Sequence, residues 1–204
     1  MAWFESETGR AILDSEQPAI EHALAERPAL PWLWLAPVAL PFAPEGRGVA
    51  LTMAARGWTG ALTCDLPLPL PSEAFGTVAL QHVAGDRDRA AVLLAEAARI
   101  LVPGGRLWLF ALNPLAPYRW RWRGLGLGAA EPVTWRKRLR SAGLQPDPVS
   151  QGLGPSWQVR ISAQPQNGPG LRAAYVIRAE KRTLPLTPLR TREPLRLPQG
   201  AAAG

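Results

Sequence analysis

The chain has 204 residues, a length typical of one domain with its own core. Hydrophobic residues make up 47% of it and charged residues 19%, a composition that excludes a disordered chain and a coiled coil. The longest apolar stretch, residues 29–38, contains two prolines and is shorter than the roughly 20 residues that span a bilayer. The first ten residues lack a basic segment followed by an apolar one, so we expect no secretory signal and a cytoplasmic location.

The formal net charge of +7 is unevenly distributed. Residues 1–100 carry seven arginines and twelve carboxylates, whereas residues 101–204 carry sixteen cations and four carboxylates. Clustered cations favour a nucleic acid or another polyanion as partner, because they gain affinity by releasing counterions. A general bias toward Arg, Ala, Gly and Pro explains the same composition equally well. Cys64 is the only cysteine and there are two histidines, so we expect neither a disulfide nor a metal site.

The first predicted element is a helix that Ser6 or Thr8 caps and that ends before Pro28, with apolar residues at helical spacing. Three short strands follow, with a proline-rich loop between the first two. They are predicted at residues 30–35, 49–53 and 61–64.

The centre of the chain predicts a strand, a helix and a second strand in immediate succession. The strands are residues 77–83 and 106–112, and the helix, residues 88–101, is ended by the turn Pro103-Gly104-Gly105. Such a βαβ unit forces a parallel pair and a right-handed crossover.

The last third begins with residues 116–128, which are rich in aromatic residues, Arg and Gly. A helix is predicted at residues 131–142, with Pro132 in its first turn. Residues 158–163 and 173–179 are typical of an antiparallel pair. Repeated Pro and Arg indicate a strap or a tail at residues 183–204, so the domain is expected to span residues 1–182.

Two motifs around the βαβ unit resemble those of class I S-adenosylmethionine-dependent methyltransferases, in particular the small bacterial type-11 family. Residues 70–76 (LPSEAFG) are similar to the family's Leu-Pro-Phe-Pro-Asp-x-x-Phe-Asp, and a hydrophobic strand ending in His82-Val83 follows. Residues 99–107 (RILVPGGRL) are similar to its Arg-Val-Leu-x-Pro-Gly-Gly-x-Leu. The resemblance covers about fifty residues, and weaker similarity at residues 4–16 and 179–188 extends it over most of the chain.

The resemblance implies a Rossmann-like α/β fold: a seven-stranded, mostly parallel sheet with helices on both faces and the last strand antiparallel. Open sheets of this kind bind ligands at the carboxyl ends of their strands. Carried over by position, Asp65 and Leu66 would contact the adenine of S-adenosylmethionine. Gln81 and His82 would line the pocket, and Asn113 would face the methyl acceptor.

The sequence departs from the family's pattern where the methyl donor is held. The family's first strand ends in a glycine-rich turn, because a backbone without Cβ atoms admits the donor. Here Ala36 stands at that turn, and the first glycine after it is Gly46. The second strand, which ends in an acid that binds the ribose, here ends in Met53. The donor site is therefore predicted to be degenerate at Ala36 and Met53.

Few catalytic residues are needed for methyl transfer, since positioning supplies most of the rate. His82 is the candidate base, and its alternative role is a structural hydrogen bond. The segment 114–128 is the candidate substrate cover, with Tyr118, Trp120 and Arg121 as contacts. In an extended conformation it would present a stacking face and a phosphate-binding face; the alternative is an amphipathic flap with its aromatic side inward.

The leading hypothesis is thus a methyltransferase that acts on an unidentified acceptor. The alternative is an inactive module of the same fold that binds RNA or another polyanion through its basic C-terminal half. A third hypothesis is a purely structural partner protein.

Overall fold

The computed structural model describes residues 2–39, 44–85 and 87–182, which form one mixed sheet flanked by helices. The strands are β1 (Trp32–Ala36), β2 (Gly48–Met53), β3 (Trp58–Gly60), β4 (Phe75–Gln81), β5 (Leu101–Leu112), β6 (Leu144–Pro146), β7 (Gln151–Leu153), β8 (Gln166–Asn167) and β9 (Ala174–Lys181). The helices are α1 (Glu7–Ala25), α2 (Arg87–Ile100) and α3 (Pro132–Ser141), with 3-10 helices at Ala2–Glu5 and Pro117–Arg121. The predicted strap at residues 183–204 lies outside the described residues.

The strand order is β3-β2-β1-β4-β5-β9-β7-β8, and β6 pairs with β9 beside this path. The inner strands β2, β1, β4 and β5 are parallel, and each remaining strand joins by an antiparallel pairing. The predicted count of seven strands is wrong, since the described residues contain nine. The larger number of strands is due to β6, β7 and β8, which are only two or three residues long and lie beyond β5 in the sheet. The antiparallel last strand is confirmed by the pairing of β9 with β5.

Helices cover both faces of the sheet, as predicted, because the inner strands are apolar on both sides. Leu33 and Leu35 of β1 lie in one core cluster with α2 and α3. Trp32 and Trp34, which point the opposite way, lie in a second cluster with Ile20 and other residues of α1. Alternating side chains of a strand point to opposite faces, so continuous burial of β1 is typical of a sheet covered twice.

The N-terminal helix and the βαβ unit are confirmed. Ser6 is the N-cap of α1, and its side chain accepts a hydrogen bond from the Gly9 amide at 3.3 Å. The strands β4 and β5 are parallel, with α2 between them. Gly104 has φ +74°, which suits the turn predicted there. The turn lies inside the long strand β5, opposite a register shift between Phe75 and Thr77.

Two strand predictions are wrong. Residues 61–64 do not form the third strand. That strand is Trp58–Gly60, and Cys64 only bridges back to Trp58. Residues 158–163 are irregular, and the antiparallel partners of β9 are β5, β6 and β7. The amide of Ser162 does not pair with a neighbouring strand but donates to the Ser15 hydroxyl of α1 at 2.8 Å. A side chain thus provides the hydrogen-bond acceptor that a strand partner would have provided.

In the part of the chain that the structure describes, no helix combines the length and the apolar character needed to cross a membrane.

Candidate functional site

The connection from β1 to β2 differs most from the expected ligand-binding architecture. β1 ends at Ala36, which is 1% exposed and packs in the α1 cluster. β2 begins at Gly48, and neither residues 37–39 nor residues 44–47 are helical. A helix N-terminus after the first strand would supply free amides and a favourable dipole to an anionic group. The described part of this connection supplies neither.

Met53, at the end of β2, lies in a hairpin. It pairs with Trp58 of β3, and the turn is closed by a hydrogen bond from the Ala54 amide to the Gly57 carbonyl at 3.1 Å. Gly57 has φ +67°, and a Cβ there would lie 2.2 Å from the Cys64 carbonyl oxygen. The chain therefore turns back at once, and the Met53 side chain packs partly buried against the core. No carboxylate stands at this strand end.

Asp65 and Leu66 follow the third strand. Asp65 is exposed, and its Oδ1 accepts a hydrogen bond from the Leu66 amide at 2.8 Å. Leu66 is half-buried against the core. The predicted adenine contact of these two residues stays a prediction.

Gln81 and His82, at the carboxyl end of β4, converge on a carboxylate that sequence reasoning missed. Glu16 of α1 accepts from Gln81 Nε2 at 2.9 Å, and its two oxygens lie 2.9 and 3.1 Å from His82 Nε2. The Glu16 side chain is completely buried and that of His82 is 2% exposed. The signal was present in the sequence: Glu16 lies four residues from both Ile12 and Ile20, so it is an acid within the apolar stripe of α1.

The hydrogen bonds fix the tautomer of His82. A carboxylate only accepts hydrogen bonds, and Gln81 also donates to Glu16, so Nε2 is the ring nitrogen that carries the proton. Nδ1 is then the acceptor. It is buried and has no hydrogen-bond partner among the described residues. Unpaired buried acceptors are rare, and each one needs an explanation.

The backbone and the ring environment of His82 are also unusual. Its φ is +53°, a conformation that costs free energy in residues other than glycine and that occurs most often at functional sites. The Phe4 ring stacks on the imidazole, with ring centres 5.0 Å apart and an interplanar angle of 21°. His82 is thus held from one side by Glu16 and from its face by Phe4.

Asn113, at the end of β5, is 1% exposed and bonded to backbone. Its Nδ2 donates to the carbonyls of Gly170 and Arg172 at 3.0 and 2.9 Å, and its Oδ1 accepts from the Leu115 amide at 3.1 Å. These bonds tie the end of β5 to the loop before β9. The predicted contact of Asn113 with an acceptor stays a prediction, and both amide protons are already used.

The segment with Tyr118, Trp120 and Arg121 is not extended as predicted for a stacking surface. It is a 3-10 helix, because the Arg119 and Trp122 amides close turns on the carbonyls three residues earlier. Tyr118 is 1% exposed and Trp120 69% exposed. The arrangement matches the amphipathic flap, with Tyr118 and Trp122 inward, except that Trp120 points outward under the guanidinium of Arg123 at 5.0 Å.

The hydroxyl of Tyr118 reaches α1, where it donates to the Thr8 carbonyl at 3.0 Å. Burial raises the pKa of Tyr118, although the Arg121 guanidinium, 5.1 Å from the ring centre, opposes the shift. Arg121 is exposed, and its Nη2 donates to the Trp157 carbonyl at 3.2 Å. The segment is therefore fixed at both ends.

The two 3-10 helices contact each other next to His82. Trp3 Nε1 donates to the Arg121 carbonyl at 3.1 Å, and the Trp3 and Trp122 rings meet edge to face at 5.7 Å. Gly9 of α1 permits this approach, since a Cβ there would lie 2.3 Å from the Trp3 carbonyl oxygen. We call residues 2–5 and 117–122 together the aromatic cover.

Comparison with known proteins identifies the fold. No protein-family model and no curated protein matches the chain. Solved structures do match: an S-adenosylmethionine-dependent methyltransferase from Thermotoga maritima has 20% identity and a TM-score of 0.57, and the match covers 88% of this chain and 97% of that one. A complex of the Haloferax volcanii Trm112 methyltransferase activator with a protein described as a methyltransferase has 16% identity, a TM-score of 0.58 and coverages of 88% and 96%. An S-adenosylmethionine-dependent methyltransferase from Mesorhizobium loti has 15% identity, a TM-score of 0.52 and coverages of 81% and 97%.

At these identities the likeness shows the fold alone, which is that of class I S-adenosylmethionine-dependent methyltransferases. The fit of the residues to the methyl donor is uneven. The end of β4 presents an unpaired buried acceptor, His82 Nδ1. The ends of β1 and β2 present Ala36 and a Met53 hairpin, with no carboxylate for a ribose. These two strand ends do not fit the donor.

Proposed function

We propose that this chain is a methyltransferase-like protein that acts with S-adenosylmethionine on an unidentified acceptor, with His82 as the base. The observation that carries the proposal is the buried Glu16–His82 pair at the carboxyl end of β4, which leaves Nδ1 without a partner in the described residues. A strained backbone and a free acceptor coincide at this one residue.

The residues of the chain have separate roles in this proposal. Glu16 holds Nε2 and fixes the tautomer, and Gln81 holds the carboxylate of Glu16 in turn. Nδ1 then takes the proton of an acceptor whose nucleophile must lose one. The aromatic cover would exclude water from this region, and Phe4 would have to move for an acceptor to reach Nδ1.

A second candidate is a module of the same fold that does not bind the donor. Two features favour it: the described part of the connection after Ala36 is not helical, and Met53 lies in a hairpin. Both lie where the resembling family holds the methyl donor. Loss of a hydrogen bond between the ribose and a charged group weakens binding by roughly 1.5–3 kcal/mol, about one to two orders of magnitude in affinity. In this second candidate the basic C-terminal half of the chain would bind an RNA or another polyanion.

Isothermal titration with S-adenosylmethionine distinguishes the two candidates. Binding with a dissociation constant below about 1 mM supports the first, and the absence of heat at millimolar ligand supports the second. In this proposal His82 acts on the acceptor, so the same titration with H82Q should give nearly unchanged donor affinity. A clearly weaker affinity would return His82 to the donor pocket that the resemblance implies. The matched control is H22Q, which changes the chain's other histidine, an exposed residue of α1.

The role of His82 is tested separately by imidazole ¹⁵N spectra, with the H22Q variant used to assign the signals. We expect the proton of the neutral ring to lie on Nε2, and E16A, which removes the acceptor of that proton, should abolish this tautomer preference. A ring protonated at Nδ1 would contradict the proposal, because the free lone pair would then face Glu16.

A further inference from the structure

A second concave site lies apart from the Glu16–His82 pair, in the loop between β7 and β9. It is a cavity of about 280 Å³. The described residues that line it are polar, cationic or aromatic, and none of them carries a carboxylate. Besides one proline they are Ser156, Trp157, Gln158, Arg160, Ser162 and Arg172.

One of the two arginines is held in place by the protein. Arg172 Nη1 donates to the Gly154 carbonyl at 3.0 Å and to the Ser162 hydroxyl. Its Nε and Nη2 have no partner among the described residues. A guanidinium fixed through one nitrogen presents its remaining donors in a defined direction, which suits bidentate binding of an oxyanion.

The other arginine, Arg160, is exposed. No described residue forms a hydrogen bond or an ion pair with it. Two positive charges in one cavity without a carboxylate repel each other, and an anion between them relieves that repulsion. The hydroxyl of Ser156 and the amide of Gln158 add neutral donors to the same walls.

The walls of the cavity are anchored to the core. The Ser162 amide donates to Ser15 Oγ at 2.8 Å, and Ser15 is 1% exposed on α1. The Ala173 amide, just before β9, donates to the Pro155 carbonyl at 2.8 Å. An irregular loop fixed at both ends loses little entropy when a ligand binds, so the site is preorganised.

Trp157 gives the cavity an aromatic side. Its ring is 66% exposed, although its backbone carbonyl is held by Arg121 Nη2 at 3.2 Å. An indole with a fixed backbone and a free face, beside two guanidinium groups, has the two features that bind a nucleotide: a stacking surface for the base and cations for the phosphate.

From these contacts we infer that residues 155–172 form a nucleotide-phosphate site. Arg160 and Arg172 bind the phosphate, and Trp157 stacks on the base. The phosphate belongs either to a free nucleotide or to a single-stranded RNA. This inference does not rest on methyl transfer, because binding is measured without a methyl donor.

The test uses the full chain and three probes: inorganic phosphate, uridine monophosphate and a short oligouridylate. R160Q should weaken the binding of every probe that binds the wild type by about tenfold, the loss of one charged contact. W157A should weaken the two nucleotide probes about fivefold to tenfold and leave phosphate unchanged. The matched control R140Q removes one exposed charge from α3 and should have no effect on phosphate or the mononucleotide.

The three probes distinguish the two sources of the phosphate. Binding of uridine monophosphate that both R160Q and W157A weaken indicates a free nucleotide, whereas the same sensitivity with oligouridylate alone indicates an RNA chain. Equal losses for R160Q and R140Q would overturn the inference, since the binding would then follow total charge. It is also overturned if no probe binds, or if W157A leaves nucleotide affinity unchanged.

Discussion

The two halves of the inner sheet are connected in different ways. β4 and β5 are joined by α2 and retain the residues that resemble the methyltransferase motifs. β1 and β2 are also parallel, but their connection, residues 37–47, has no helix in its described part, and β2 turns directly into an antiparallel hairpin. Both halves pair normally and bury their side chains. The difference teaches that two parallel pairs can pack equally well although only one of them ends in buried polar side chains, Gln81 and His82.

Arg99, the first residue of the motif at 99–107, has a structural role that does not involve a ligand. Its Nη1 and Nη2 donate to the carbonyls of Leu70 and Leu68 at 2.9 and 3.0 Å, and its Nε donates to Glu96 at 3.0 Å. Glu96 accepts in turn from the Leu68 amide at 2.9 Å. The motif residue thus fixes the loop that enters β4, which is a task of the scaffold.

The largest expected effect compares one buried leucine in each half. Leu80 of β4 and Leu51 of β2 are both 0% exposed. We expect L80A to lower the free energy of unfolding by about 3–5 kcal/mol and L51A by about 2–3 kcal/mol, because the hairpin side can collapse around the cavity more easily than the central strand. Urea denaturation measures both. Equal losses would break the distinction between the halves.

A somewhat smaller loss is expected when the buried carboxylate that joins α1 to β4 is removed. E16A leaves the buried donors of Gln81 and His82 without an acceptor, so it should cost about 2–4 kcal/mol. E21A, which removes an exposed carboxylate from the same helix, should cost less than about 0.5 kcal/mol. Similar values for the two variants in thermal unfolding would mean that Glu16 is not part of the link.

The aromatic cover can be displaced without touching its rings. G9A adds a Cβ that would lie 2.3 Å from the Trp3 carbonyl oxygen, so residues 2–5 must shift. We expect a net loss of about 1–2 kcal/mol, although Ala is the better helix former. Diethylpyrocarbonate should then modify His82 faster than in the wild type, with G85A as the control, since a Cβ at Gly85 meets nothing within 4 Å. Unchanged reactivity of His82 would contradict the role of the cover.

The smallest expected effect is a pH dependence of the free energy of unfolding that comes from Glu96 of α2. The hydrogen bond from Arg99 is the main reason that the pKa of Glu96 lies below its ordinary value of 4.5. A carboxyl whose pKa is lowered by folding stabilises the protein above its unfolded pKa, and that stability is lost as the pH falls through the folded pKa. E96Q should therefore lower the free energy of unfolding by about 1 kcal/mol at pH 7, and the difference should shrink below about pH 4. A difference that does not shrink as the pH falls below 4.5 would show that the lowered pKa is not its cause.

Sequence reasoning found the elements whose pattern is local. The run of buried residues in β4, the stripe of α2 and the Pro-Gly-Gly turn each indicate one structure, and their order gave the parallel pair. It failed at residues 158–163, where the Ser15 side chain takes the place of a strand partner. The third strand was also predicted wrongly, at residues 61–64. The actual strand, Trp58–Gly60, follows Gly57 and ends at Gly60, two glycines with positive φ, and its sequence therefore resembles a turn.

At the candidate site, the residues at the strand ends could be predicted from the sequence, but the contacts between them could not. His82 was predicted from its position after β4, whereas Glu16 lies 66 residues earlier and could only have been suspected as an acid on an apolar face. Tyr118 and Trp120 were predicted as one surface, yet a 3-10 helix turns one inward and the other outward. Spacing along a chain does not specify which of these conformations a short aromatic segment adopts.

The separation of Glu16 and His82 has a consequence for synthesis on the ribosome. α1 is translated before β4, and its buried acid cannot reach its partner until 66 further residues have been added. At about 5–20 residues per second this takes roughly 3–13 seconds. During this interval Glu16 remains in water, so the buried link between α1 and β4 can form only after β4 has been synthesised.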